Sequence, residues 1–114
     1  MPSSKTPPKM PKPGATTMKR FDALVETFTP RGATRSQMFG MPVLKKGDKV
    51  FAGTFGDAMT FKLGPDDHAK ALKRHGVRPF EPMPGRAMKA WVLVPVADAR
   101  AWRALAEQAF VALG

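Results

Sequence analysis

Two histidines, a pair of adjacent aspartates and three serines are the side chains of this sequence best suited to chemistry, and their spacing argues against it. His68 and His75 are seven residues apart. On one helix they would share a face, yet a rise of about 1.5 Å per residue separates them by about 10.5 Å along the axis, too far for one metal ion. They read as helix-surface histidines. Asp66 and Asp67 follow Gly64-Pro65, and that pattern opens a helix: proline suits the first turn, and carboxylates suit the positive end of the helix dipole. No acid–base pair is needed to explain them. The serines are Ser3, Ser4 and Ser36, none in the strand–turn–helix setting of a hydrolase nucleophile. Gly53, Gly56 and Gly64 are not followed by the Lys-Ser/Thr of a phosphate loop. Cysteine is absent, which excludes thiol catalysis, disulfides and Cys-ligated zinc or iron–sulfur clusters and fits a reducing cytoplasm. These residues point to no catalytic, metal or cofactor site.

Charge is the stronger signal. The 114 residues carry a net +10. Lys5, Lys9, Lys12, Lys19 and Arg20, with no acid among residues 1–20, supply half of it. An excess of this kind attracts polyanions by a salt-dependent, sequence-independent term. Arg31, Arg35, Lys45, Lys46 and Lys49 form a second group around the first hairpin, and Lys70, Lys73, Arg74 and Arg78 a third around a short helix. The candidate polyanion-binding set is therefore Lys5, Lys9, Lys12, Lys19, Arg20, Arg31, Arg35, Lys45 and Lys46, weighed against the plainer reading of solvated basic faces. Nothing lines up Arg, Asn or Gln on an exposed helical stripe, so any nucleic-acid contact is expected to be with phosphates and not with base edges.

The elements that would position these groups follow from periodicity. Residues 1–15 hold five prolines and no large aliphatic or aromatic residue except Met1 and Met10. Such a segment cannot bury enough apolar surface to offset its ordering entropy, and it is expected to be a disordered basic arm. Residues 16–114 are expected to form one folded domain. Phe21, Leu24, Val25 and Phe28 make one helical stripe, capped by Thr16 or Thr17 and ended by Pro30 and Gly32. Met38–Leu44, Val50–Phe55 and Ala58–Leu63 read as three strands of a meander, joined by the turn chemistry of 45–48 and Gly56-Asp57. The first of them is apolar on both alternating sets, so it is expected to be covered on both faces or bent at Gly40–Pro42. A second helix from Pro65 is expected to end with Lys73, Arg74 and His75 in its last turn, before Gly76. The stretch 77–85 reads as irregular, anchored by Phe80. Ala87–Val94 reads as a strand, and Asp98 as the N-cap of a last helix that buries Trp102, Leu105, Ala106, Ala109, Phe110 and Leu113. The expected fold class is α+β: an antiparallel sheet of about four strands packed with three helices, in the order α-β-β-β-α-β-α. One core is expected to join Phe21, Leu24, Phe28, Phe61, Leu72, Trp91, Trp102, Leu105 and Phe110. No segment approaches the roughly 18 apolar residues of a membrane span, and no membrane partner is expected.

Met38-Phe39-Gly40 after a first helix, the Lys-Gly-Asp-Lys turn at 46–49 and Val50-Phe51-Ala52 together resemble the TfoX/Sxy N-terminal-domain family. Thr60-Phe61-Lys62-Leu63 before an acidic helix start, Gly76 to Phe80 with Pro82, and Met88-Lys89-Ala90-Trp91-Val92 leading to Pro95 extend the resemblance over residues 18–113. Met41-Pro42 stands where the family commonly has a second glycine, which is nearer its small stand-alone members, similar in style to the MmcQ/YjbR-like proteins. The resemblance implies a small α+β domain and a regulatory role, for its namesake in DNA-uptake competence; it supplies no catalytic residues. Two readings follow. One is a non-enzymatic regulatory or interaction module, partnered by a regulatory protein or weakly by nucleic acid through the basic arm. The other is a small-molecule-binding or enzymatic domain whose site is not visible in sequence. A deep conserved polar pocket would favour the second, a convex basic face continuous with the arm the first.

Overall fold

A computed structural model describes residues 13–38, 40–81 and 88–113. Its helices are α1 (Ala15–Phe28), α2 (Pro65–Ala71) and α3 (Trp102–Ala112). Its strands are β1 (Ala33–Met38), β2 (Met41–Lys46), β3 (Lys49–Phe55), β4 (Ala58–Lys62), β5 (Arg78–Pro79) and β6 (Trp91–Val94). The strands form one antiparallel sheet in the order β1-β2-β3-β4-β6-β5. The class is α+β with three helices, as the periodicities indicate, but the sheet has six strands and not four.

The extra strands lie at the two edges. The apolar run Met38–Leu44 is not one strand: it crosses a tight turn at Gly40, whose φ of +80° suits glycine. Met38 closes β1 and pairs with Met41, which opens β2. Only Ala33 of β1 is buried, because the strand is an edge and its helix-side Arg35 lies over the Phe21 ring (5.4 Å to the centroid) instead of entering the core. β5, two residues long, occupies the other edge. The expected β2–β3 hairpin is present, turning through Gly47 at φ +62°.

A register shift between Leu44 and Lys45 places Lys45 opposite Val50 and Leu44 opposite Ala52. Phe51 is the extra residue of this bulge. It and Ala52 are both fully buried in the core. Alternation on β4 and β6 sends Met59, Phe61, Val92 and Val94 to the same side. There α1 and α3 cover the sheet, and Phe21, Leu24, Phe28, Trp102, Leu105, Ala106, Ala109 and Phe110 complete the core. Phe28, Phe51 and Phe110 meet with centroids 5.4–5.9 Å apart in edge-on and tilted geometries favourable to aromatic pairs. Leu72 packs at the margin of this core. Trp91 does not belong to it: it points to the opposite face of the sheet and is half-buried there.

Several ends differ from their expected places. Ala15 is already helical and Gly14 is the N-cap of α1, its N–H donating to Asp57 Oδ1 at 3.0 Å. Thr17 is buried and donates its hydroxyl to the Asp57 carbonyl at 3.2 Å, so neither threonine caps the helix. α2 stops at Ala71, before Lys73, Arg74 and His75. Asp98 does not cap α3: Arg74 takes both its carboxylate oxygens, at 2.7 and 2.9 Å, within a 3₁₀ segment from Val96 to Ala101. The strand expected over 87–94 begins only at Trp91, since Ala90 turns through φ +73°; Ala87 lies outside the described residues. Phe80 is buried, as expected of an anchor, and meets Phe55 and Trp91.

Candidate functional site

Of the basic residues singled out by charge, Lys5, Lys9 and Lys12 lie outside the described residues. Lys19 and Arg20 are exposed on α1. The hairpin group is split between the two faces of the sheet, and two of its arginines are ion-paired. Arg31 forms a two-pronged ion pair with Glu107, one arm at 2.9 Å, while its guanidinium lies over the Phe28 and Phe110 rings. Lys46 sits over the Phe110 ring at 4.5 Å. Arg35 pairs with Asp22 at 2.9 Å. These cations lid the aromatic core. Lys45 points away from them, to the other face of the sheet. In the third group Arg74 is bound to Asp98, whereas Lys70, Lys73 and Arg78 are exposed.

The ion pairs leave their mark on titration. The hydrogen bonds from Arg74 hold the Asp98 carboxyl below the ordinary carboxylate range, and those from Arg31 do the same for Glu107. Both arginines are shifted upward in turn by their partners.

A different arginine set does converge. Arg20 on α1, Arg100 in the 3₁₀ segment and Arg103 on α3 line one open groove of about 320 Å³, with Leu24, Thr27 and Trp102 beneath them. All three arginines are exposed, and among the described residues none forms an ion pair. A second depression adjoins it at Arg100, bordered by Arg74 and His75. Arg100 and Arg103 lie outside the three basic groups that charge alone picks out. Their three-residue spacing just before and within a helix was the available sign that they share a side.

The face of the sheet away from α1 and α3 holds an apolar cavity of about 80 Å³. Its floor is Gly53, between Val43 and Thr60. A Cβ at Gly53 would stand 2.9 Å from Val43 Cγ1, so the missing side chain is what opens the floor. Met38 and Met41 form one wall; Phe80, Met88 and Trp91 form the other. The bordering hydroxyls are turned to backbone: Thr54 donates to the Pro42 carbonyl at 3.1 Å and Thr60 to the Gly53 carbonyl at 3.4 Å. The lining offers almost no polar surface. It has neither the acid–base pair nor the nucleophile that catalysis would require.

Among the described residues no three His, Cys, Asp or Glu side chains gather as metal ligands. His68 lies on α2 with Nε2 3.3 Å from the Trp91 carbonyl, and His75 falls beyond the end of that helix. No helix among the described residues is long and apolar enough to cross a membrane. Comparison with family models, with curated proteins and with solved structures returned no match.

Proposed function

We propose that this protein is a non-enzymatic regulatory or interaction module that contacts nucleic-acid phosphates through the groove formed by Arg20, Arg100 and Arg103. The convergence of three exposed, unpaired arginines from separate elements on one groove carries the reading. Arginine presents a planar fork of donors that matches a phosphate, and a groove lined by one sign of charge raises the local concentration of a polyanion. The basic residues Lys5, Lys9 and Lys12 precede α1 in the sequence, and the early turns of α1 hold Lys19 and Arg20. The resemblance to a regulator's N-terminal domain agrees with a module of this kind, acting in the cytoplasm.

Such contacts read backbone and not sequence. Binding is expected to be weak, on the order of 10⁻⁴–10⁻⁶ M at physiological salt, and similar for unrelated duplexes. In a salt series followed by fluorescence anisotropy, each neutralised phosphate contributes about −0.9 to the slope of log affinity against log salt. The double variant Arg100→Ala/Arg103→Ala should flatten that slope by about 1.8. Arg31→Ala should leave it unchanged, because that guanidinium is held by Glu107. Absence of binding at low salt, or a slope indifferent to the double variant, would overturn the reading and leave a protein partner in its place.

A further inference from the structure

We infer that the cavity on the face of the sheet away from α1 and α3 is a binding site for a small carboxylate with an apolar tail, the tail entering between Met38, Trp91 and Met88 and the head resting on Lys45 and Lys62. The cavity wall is apolar, and the hydroxyls bordering it are engaged with backbone carbonyls. Nothing inside would hold water or a polar group, so the part of a ligand that enters must be hydrocarbon. At about 80 Å³ the space accepts the end of a chain or a small branched group and not a fused ring system. Methionine is unbranched and polarisable and fits itself to irregular guests. Met38 and Met88, at 38% and 39% exposure, are the solvent-exposed methionines of the lining.

The charge around the cavity selects the head group. Strand alternation and register define which side chains share this face. Lys45 is directly opposite Val50, and Lys62 directly opposite Trp91, both of which line the cavity. Arg78, opposite Leu93, is the third charged strand residue on the face, and no strand there contributes a carboxylate. The nearby acids are placed otherwise: Asp57 receives the Gly14 N–H, Asp48 is in the β2–β3 turn, and Glu81 lines a neighbouring depression beside Arg78. An anionic head at the Val50–Trp91 end of the cavity would meet Lys45 and Lys62, and a cationic head would be repelled.

The site lies on the side of the sheet away from α1 and α3, so it is separate from the arginine groove. Its test is a titration of the full chain with straight-chain carboxylates from butyrate to octanoate, read by tryptophan emission. Trp91 lines the cavity, whereas Trp102 is buried on the other side of the sheet. Affinity should rise about fourfold per methylene while the tail is entering, then level off once the cavity is full. Octylamine should bind at least about fivefold more weakly than octanoate, and Lys45→Gln/Lys62→Gln should narrow that gap to about twofold, because each exposed pair is a modest interaction. Met88→Glu, at an exposed position that folding tolerates, should abolish the octanoate response. Equal binding of octanoate and octylamine would overturn the proposal. So would a rise without levelling, or a Met88→Glu variant that binds as well as the parent chain.

Discussion

Asp98 and Glu107 show how far one ion-pair partner can redirect a side chain. Asp98 lies inside the 3₁₀ segment, three residues before the Ala101 N-cap of α3, and Arg74, 24 residues earlier in the chain, binds both of its oxygens. Hydrogen bonds from Arg74 and Arg31 favour the ionised forms and hold both carboxyls below their ordinary range. A carboxyl with a lowered folded-state pKa contributes stability that is fully present above the unfolded value, near 4. That contribution is lost as pH falls through the lower folded value. Urea midpoints should therefore be level above about pH 5 and decline below about pH 4. Asp98→Asn should make the decline shallower. Glu107→Gln should do the same to a smaller extent, because its side chain is 47% exposed against 14% for Asp98. An acid limb with the parent's slope in both variants would show that these pairs do not govern it.

α3 is the element whose sequence and structure agree best, and its agreement is testable. Trp102, Leu105, Ala106, Ala109 and Phe110 are buried along one stripe, and the Trp102 indole N–H donates to the Val94 carbonyl at 3.3 Å. Trp102→Ala should cost about 3–5 kcal/mol in denaturant melts, the usual loss for a large buried aromatic. A loss below about 1 kcal/mol would mean that the stripe faces elsewhere. This helix, α1 and the β2–β3 hairpin were legible because a helix or strand with one buried face must repeat its apolar residues with the period of its backbone. β1 was not legible for the converse reason. As an edge strand it buries only Ala33, and its Thr34, Arg35, Ser36 and Gln37 carry no alternation. β5 is too short to have a period. The bulge at Phe51 defeats alternation locally, since Phe51 and Ala52 are adjacent in sequence and buried in the same core. The cavity was half visible. Met38–Leu44 is apolar on both alternating sets, which fits a strand covered on both faces or bent at Gly40–Pro42, and neither pattern by itself reveals the turn at Gly40 that folds Met38 onto Met41. The arginine groove was visible only in its parts, Arg20 by charge and Arg100 and Arg103 by spacing, because α1, the 3₁₀ segment and α3 are brought together by the shared core beneath them.

Over the whole molecule the sheet separates two surfaces of different character, an arginine-lined groove on the helical side and a methionine-walled cavity on the other. Among the described residues, two tie the start of α1 to the sheet. Gly14 and Thr17, at the start of α1, are both fastened to Asp57 in the β3–β4 turn. A Cβ at Gly14 would stand 2.6 Å from Asp57 Oδ1, so a side chain there would displace the carboxylate from the Gly14 N–H. Two truncations separate the arm's charge from this anchor. Removing residues 1–12 takes away Lys5, Lys9 and Lys12 and keeps Gly14; removing residues 1–15 takes away the same lysines together with the Gly14 N–H that meets Asp57. A hydrogen bond to a charged group contributes about 1.5–3 kcal/mol, with the lower end fitting this exposed contact. At about 4–8 °C per kcal/mol for a domain of this size, the longer truncation should melt several degrees below the shorter one. Both should lose the same increment of salt-dependent duplex affinity, since both lack the same three lysines. Equal melting temperatures would show that the Asp57 contact adds nothing to the fold. A lower affinity for the longer truncation alone would mean that the anchored start of α1, and not the arm's charge, positions Arg20 in the groove.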